Sequence, residues 1–439
     1  MKESLILRRR IIFFAIPIIS GLFVQQLYSV VDMAIIGNFI GANQLAAVGN
    51  AANIVILFLV VSGGFEMAVE IIVARLIGKQ ENWAAKAVNI IFIGGLAGIG
   101  MAVLGYYIFP FALNWINLPK HLMQYALIYG RIYLIGLPFI YIYDIARAVL
   151  IANEKTKQSF YLLLGSSGLN LILNLFFIII CHLSVAGSAL GTVLAQALVM
   201  MYTLKLLKGY LNKTEVKLNL EKGELFEIMR IALPYIFQQF AITFAITLVQ
   251  AWINPFGNEI IIGYVAISKV MELARIVLIG FAQTLTILGA QMLTAKKIKA
   301  IQATYKWCAV YSLGYVGTMA ILSVLIAPMI AGVFFDVAEH QPAFLFFKTY
   351  LVAFNVIQLV SIFKFLNEGL LRSMVHMKEY LYCNVGELIV KVMGIYILLQ
   401  PLATNAFWSA ELLARILMLG LSYYYIFKFA KTDLKVTNK

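Results

Sequence analysis

Charge is scarce in this chain, and its scarcity excludes more than any motif does. Only 12% of the 439 residues are Asp, Glu, Lys or Arg, whereas 62% are hydrophobic and the mean hydropathy is +0.91. A water-soluble domain with that balance would expose large apolar surfaces. Cysteine is equally sparse. Cys181, Cys308 and Cys383 form an odd, scattered set that suits neither a disulfide framework nor a thiolate metal cluster. The four histidines, His121, His182, His340 and His376, lie near the ends of apolar stretches with no two at metal-ligand spacing. No Gly-rich phosphate loop or nucleophile motif is present. Neither an enzyme, nor a resident cofactor, nor a nucleotide-binding subunit is expected.

What the chain does contain is a succession of apolar stretches, each long enough to cross a hydrocarbon core. Twelve are read, at about 11–40, 45–77, 86–112, 121–152, 158–181, 184–208, 227–254, 259–294, 301–335, 342–373, 379–400 and 404–429. Segments of this length in a bilayer must be helices, because only a helix satisfies its backbone polar groups internally. The fold expected is an all-α integral membrane protein. The net charge of +14 does not call for nucleic acid once its distribution is read. With the N-terminus placed in the cytoplasm, Lys2, Arg8 to Arg10, Lys79, Lys155, Lys205, Lys208, Lys296, Lys297 and Lys428 all fall on that side. The opposite side receives only Lys120 and Lys348, so both termini are expected to be cytoplasmic.

The most polar stretch, KGYLNKTEVKLNLEKGELFE, separates the sixth and seventh spans. It divides the chain into an N-terminal lobe at 1–208, a cytoplasmic linker at 209–226 and a C-terminal lobe at 227–439. A shift of about 216 to 219 residues brings landmarks of the two halves together. AIPII around Pro17 meets ALPYI around Pro234, Gly64-Phe65 meets Gly280-Phe281, and Tyr133-Leu134 meets Tyr350-Leu351. Each half holds six spans, so the halves enter the membrane in the same direction and are parallel repeats, an arrangement common in transporters.

The charges inside the spans carry the functional signal. Many have an opposite charge one helical turn away: Asp144 with Arg147, Glu272 with Lys269 or Arg275, Glu368 with Lys364 or Arg372, Glu387 with Lys391, and Glu411 with Arg415. Three acids have no basic residue so close: Asp32, Glu66 and Glu70. A carboxylate in mid-bilayer costs roughly 2.5 to 3.5 kcal/mol on insertion scales, so Asp32 reads as an ion or proton site. Glu66 and Glu70 share a face at i, i+4 and are a candidate second proton site. Alternatively, Glu70 sits near the headgroups or pairs with Arg75. On the fifth span Asn170 and Asn174 also share a face, and Thr192 lies on the sixth. One carboxylate, two amide oxygens and a hydroxyl would suit a hard cation or a protonatable acid if these helices meet. Otherwise Asn and Thr are ordinary interhelical hydrogen-bonding residues.

The segment AIPIISGLFVQQLYSVVDMAIIGNFIG, followed by LAAVGNAANIV, resembles the first helix of the multidrug and toxic compound extrusion (MATE) family. GLNLILN and VAGSALGTVLAQ resemble its fifth and sixth helices, and Ile231 to Pro234 resembles the start of its second half. The resemblance implies an antiporter of the cell membrane, driven by a sodium ion or a proton and exporting amphipathic organic cations by alternating access. It implies a coupling site at Asp32, Asn170, Asn174 and Thr192, with sodium the one metal ion that site would hold. The chain departs from the family at Asn174, a position that is typically acidic, and in a seventh helix without an acid. Pro17 removes a helix hydrogen bond and is a candidate hinge. The alternative is a lipid-linked precursor flippase of the same wider superfamily, which Arg131 and Arg75 keep open.

Overall fold

The computed structural model describes residues 2–116, 118–211 and 222–433, and these are helical with short turns and no strand among them. The N-terminal half builds α1 (Lys2–Phe39), α2 (Ala42–Lys79), α3 (Ala84–Trp115), α4 (Lys120–Ile135), α5 (Leu137–Ala152), α6 (Thr156–Leu175) and α7 (Ser184–Leu211). The C-terminal half builds α8 (Lys222–Ile253), α9 (Asn258–Thr294), α10 (Ile298–Leu325), α11 (Ala327–Gly332), α12 (Gln341–Ser373), α13 (Met377–Leu402) and α14 (Ala406–Asp433). Most of the expected linker, residues 212–221, lies outside the described residues.

Length and apolarity alone mark ten spanning helices, or eleven when α4 and α5 count as one span bent by 49°. The stretch Met377–Phe429 counts there as one, yet α13 and α14 pack on each other across the turn at Ala403–Asn405. Counted as a hairpin, it brings the crossings to the twelve read from sequence. The bend between α4 and α5 has a local cause. Pro138 enters the first turn of α5 without an N–H, and Gly136 presses so closely on Val193 that a Cβ would lie 2.4 Å from its Cγ2. A shift of 217 residues puts Ala353, Phe354 and Asn355 there, and α12 runs through unbroken.

The repeat is written into the turns. Gly41 (φ 136°) and Gly257 (φ 88°) open α2 and α9 at an offset of 216, and Gln80 and Lys296 end those helices in the left-handed region at the same offset. Glu154 and Val375, then His182 and Ala403, continue the series at 221. The two halves also share their internal packing: α2 on α4 and α5 matches α9 on α12, and α6 on α7 matches α13 on α14.

Packing, however, divides the chain differently from the lobes at 1–208 and 227–439. One compact unit holds residues 20–236, and the other holds residues 1–19 with 237–439. Each half therefore gives the first part of its leading helix to the other unit, and the change falls two or three residues after Pro17 and after Pro234. In the second unit, Arg8 stacks 3.4 Å over the Trp307 ring and Arg10 donates to Gln291 Oε1 at 3.1 Å. In the first, Glu227 pairs with Lys86 at 2.9 Å and Glu224 accepts from Asn89 at 2.8 Å.

Glycine makes the exchange fit. A Cβ on Gly280 would lie 2.3 Å from Cγ1 of Ile19, and one on Gly64 would lie 2.6 Å from Cγ1 of Ile236. Ile19 and Ile236 each stand two residues after their proline. The matched pairs Gly64-Phe65 and Gly280-Phe281 thus mark the seats of the exchanged helices. Overpacking at such a seat costs about 1–3 kcal/mol. Gly280→Ala should accordingly lower the apparent melting temperature, and Ile19→Ala in the same chain should recover much of the loss, as a double-mutant thermal-shift cycle would show.

Candidate functional site

The site assembles within the first packing unit, from α1, α6 and α7. Asn170 and Asn174 are one turn apart on α6, and both are buried. On α7, Gly187 and Gly191 are also one turn apart, and they let this helix approach α6 closely. A Cβ on Gly187 would lie 3.0 Å from the Phe177 backbone carbon, and one on Gly191 would lie 2.0 Å from Asn174 Oδ1. Just beyond Asn174, the last turn of this span, Phe176–Ile180, widens into a π-helix. Such turns recur where a helix redirects side chains for function.

The four residues expected to form the coupling site make one hydrogen-bonded chain. Asn174 Nδ2 donates to Asp32 Oδ1 at 2.5 Å and to Asn170 Oδ1 at 2.8 Å. Asn170 Nδ2 donates to Thr192 Oγ1 at 2.8 Å, and the Thr192 hydroxyl donates to the Ser188 carbonyl at 3.0 Å. Asp32 is partly exposed, so its carboxylate is the open end of the chain. Two buried oxygens are left over: Asn174 Oδ1, beside the open end, has no hydrogen-bond partner, and neither has Ser188 Oγ at the closed end. Unpartnered buried acceptors of this kind are costly and call for an explanation. Ser188, Gly187 and Gly191 were not singled out from sequence, although the GSALG spacing of α7 is the small-residue signal that finds them.

The candidate second proton site at Glu66 and Glu70 takes a different form. Glu66 is not uncompensated: Arg147 Nη2 lies 2.5 Å from its Oε1. Arg147, expected to serve Asp144 on its own helix, reaches across to α2 instead, and it also donates to Ser159 at 3.4 Å. Asp144 accepts from Ser62 at 3.0 Å. Glu70 is 1% exposed and engaged by other residues, so it is buried within the protein.

Other local pairs are rewired in the same way. Glu387 is held by Lys364 at 2.7 Å and Arg415 at 3.1 Å, not by Lys391. Glu411 is held by Arg275, by Lys391 at 2.7 Å and by the Tyr350 hydroxyl at 3.2 Å, not by Arg415. Glu368 with Lys364 and Glu272 with Lys269 do pair along their own helices. Long side chains on packed helices reach a neighbouring helix as easily as their own next turn, and spacing along one helix cannot choose between the two. Arg131 stacks 4.8 Å over the Tyr106 ring.

Comparison with known proteins agrees with this architecture. Residues 17–176 match the sequence model of the MatE family. The probable multidrug resistance protein YpnP of Bacillus subtilis (strain 168) is 25% identical over 265 residues, which cover 60% of this chain and 59% of that protein. The multidrug export protein MepA of Staphylococcus aureus (strain NCTC 8325 / PS 47) is 21% identical over 293 residues, 65% of this chain and 64% of that protein. In both cases the chain matches less than two thirds of the relative's length. Among solved structures, a MATE in the bent conformation superposes with a TM-score of 0.91 at 17% identity, over 100% of both chains. A variant of the Vibrio cholerae MATE transporter VcmN gives 0.90 at 18% identity, over 99% of this chain and 100% of that one.

The site itself makes a sharp prediction. Gly191→Ala would drive a methyl group into the Asn174 amide and displace it from Asp32. The apparent melting temperature should fall by at least about 2 °C, as overpacking of a close helix contact requires, while helix content stays at the wild-type level in parallel circular dichroism.

Proposed function

We propose that this chain, a member of the MATE family, is a cation-coupled antiporter that exports amphipathic organic cations by alternating access. The observation that carries the reading is the arrangement at Asn174. Its NH₂ group stands where the Asp32 and Asn170 oxygens converge, while its own carbonyl oxygen has no partner. A half-turn of the amide exchanges donor for acceptor. It would then point a third oxygen at the same spot, beside one carboxylate, and such a set of oxygens suits a hard cation such as sodium. Without the cation, the amide NH₂ serves as an internal substitute and satisfies the carboxylate. A proton on Asp32 would neutralise the same group, so the geometry accommodates either ion.

Coupling then follows from charge. An ionised Asp32 in the span is expensive, and a bound cation removes the expense. If the ion stabilises one state of the transporter, the substrate must shift ion affinity by the same factor. The relatives named as multidrug resistance and export proteins support the substrate class. Pro17 stands next to the point where α1 passes from one packing unit to the other, which is where a hinge would act.

Two measurements test the reading. In proteoliposomes, efflux of a fluorescent organic cation should be driven by an imposed sodium or proton gradient and abolished in Asp32→Asn; gradient-driven efflux that survives the substitution would remove the coupling site from α1. Lack of efflux under either gradient in the wild type would favour the lipid-linked precursor flippase. Pro17→Ala should reduce transport several-fold at unchanged expression, and unchanged transport would sink the hinge.

A further inference from the structure

The second packing unit buries a charge network that the coupling reading does not use. It draws on α9, α12, α13 and α14 and contains four cations, Arg275, Lys364, Lys391 and Arg415, against three carboxylates, Glu368, Glu387 and Glu411. Each cation contacts a carboxylate, and each carboxylate is claimed by at least one cation. Glu411, 1% exposed, takes Arg275, Lys391 and Tyr350 together. Lys364, also 1% exposed, bridges Glu368 and Glu387. One positive charge remains over, and Arg372, one turn beyond Glu368, does not reduce the excess.

The excess lies in segments long and apolar enough to span a membrane. An uncompensated charge there is expensive, and a buried network is stable only when its charges balance and its donors are used. The donors are not all used. Arg415 is 6% exposed, and its Nη1 is buried with no hydrogen-bond partner. Its guanidinium also lies 5.0 Å over the Phe365 ring, a contact that attracts a cation without neutralising it. Arg275 and Lys391 are only partly covered, with side chains 25% and 20% exposed, and they leave the network an open edge.

We propose that this network holds a small monoanion of the chloride class, docked on the free Nη1 of Arg415 and neutralised by the excess positive charge. The anion completes a four-to-four balance and partners a buried guanidinium nitrogen that the carboxylates leave unused. The site is chemically opposite to the one at Asp32. It lies within a single packing unit and stands whether or not the coupling reading is correct.

The test uses the purified full-length protein in detergent, first in sodium gluconate and then with gluconate replaced by chloride at constant ionic strength. Chloride should raise the apparent melting temperature saturably, by about 2–4 °C, as mass action on a folded-state site requires. Bromide should act likewise. Lys391→Met leaves three cations and three carboxylates, with Glu411 still held by Arg275 and Tyr350. It should melt at or above the wild-type value in gluconate and should lose the chloride response. A wild type insensitive to chloride, or a Lys391→Met protein as sensitive as the wild type, would overturn the proposal. Should that variant not fold, equilibrium dialysis of radiolabelled chloride against the wild type decides: about one ion per chain displaced by bromide supports the site, and no specific binding overturns it.

Discussion

Hydrocarbon offers no hydrogen-bond partner, and every feature of this protein answers to that fact. The backbone satisfies it by being helical in the described residues apart from short turns. Side chains answer to it one group at a time. Glu411 gathers three donors, Glu387 is paired with two cations, and Asp32 takes the Asn174 amide. What the same rule leaves unsatisfied is correspondingly informative. Asn174 Oδ1 and Arg415 Nη1 are buried groups of opposite polarity without partners, one on each packing unit. The first belongs to an oxygen-lined site that suits a cation, and the second to a network with one positive charge too many.

Symmetry explains why two such different sites stand on similar scaffolds. The left-handed residues at Gly41 and Gly257, and at Gln80 and Lys296, end and begin helices at matching places, and the helices between them pack in matching order. The exchange of leading helices is symmetric too, because Gly64 and Gly280 each lack the Cβ that would collide with the incoming isoleucine. The halves differ where chemistry differs. Pro138 breaks one helix whose counterpart is continuous, and α6 and α7 carry an amide pair and a glycine pair, whereas α13 and α14 carry Glu387, Lys391, Glu411 and Arg415.

Much of this was legible in the residues themselves. Apolar runs showed the spans, and the offset between AIPII and ALPYI showed the repeat, because both depend on composition and order along the chain. Asn170 and Asn174 could be placed on one face by helical period alone, and their approach to Asp32 followed the family resemblance. The ion pairs were less legible. Arg147 lies one turn from Asp144 yet binds Glu66, and Lys391 lies one turn from Glu387 yet binds Glu411. A neighbouring helix presents an equally near partner in each case, and periodicity carries no information about neighbours.

The sequence by itself determined that the chain is a bundle of membrane-spanning helices, that it is built twice over, and that Asp32 is an acid with no base nearby. These follow from hydropathy, order and local spacing, which do not depend on how helices are arranged. Only the tertiary structure decided that the first parts of α1 and α8 change units, that Glu66 is neutralised, and that the charges of the C-terminal half close into a network with one cation in excess. Those outcomes depend on which helices touch, and contact between residues hundreds of positions apart is a property of packing.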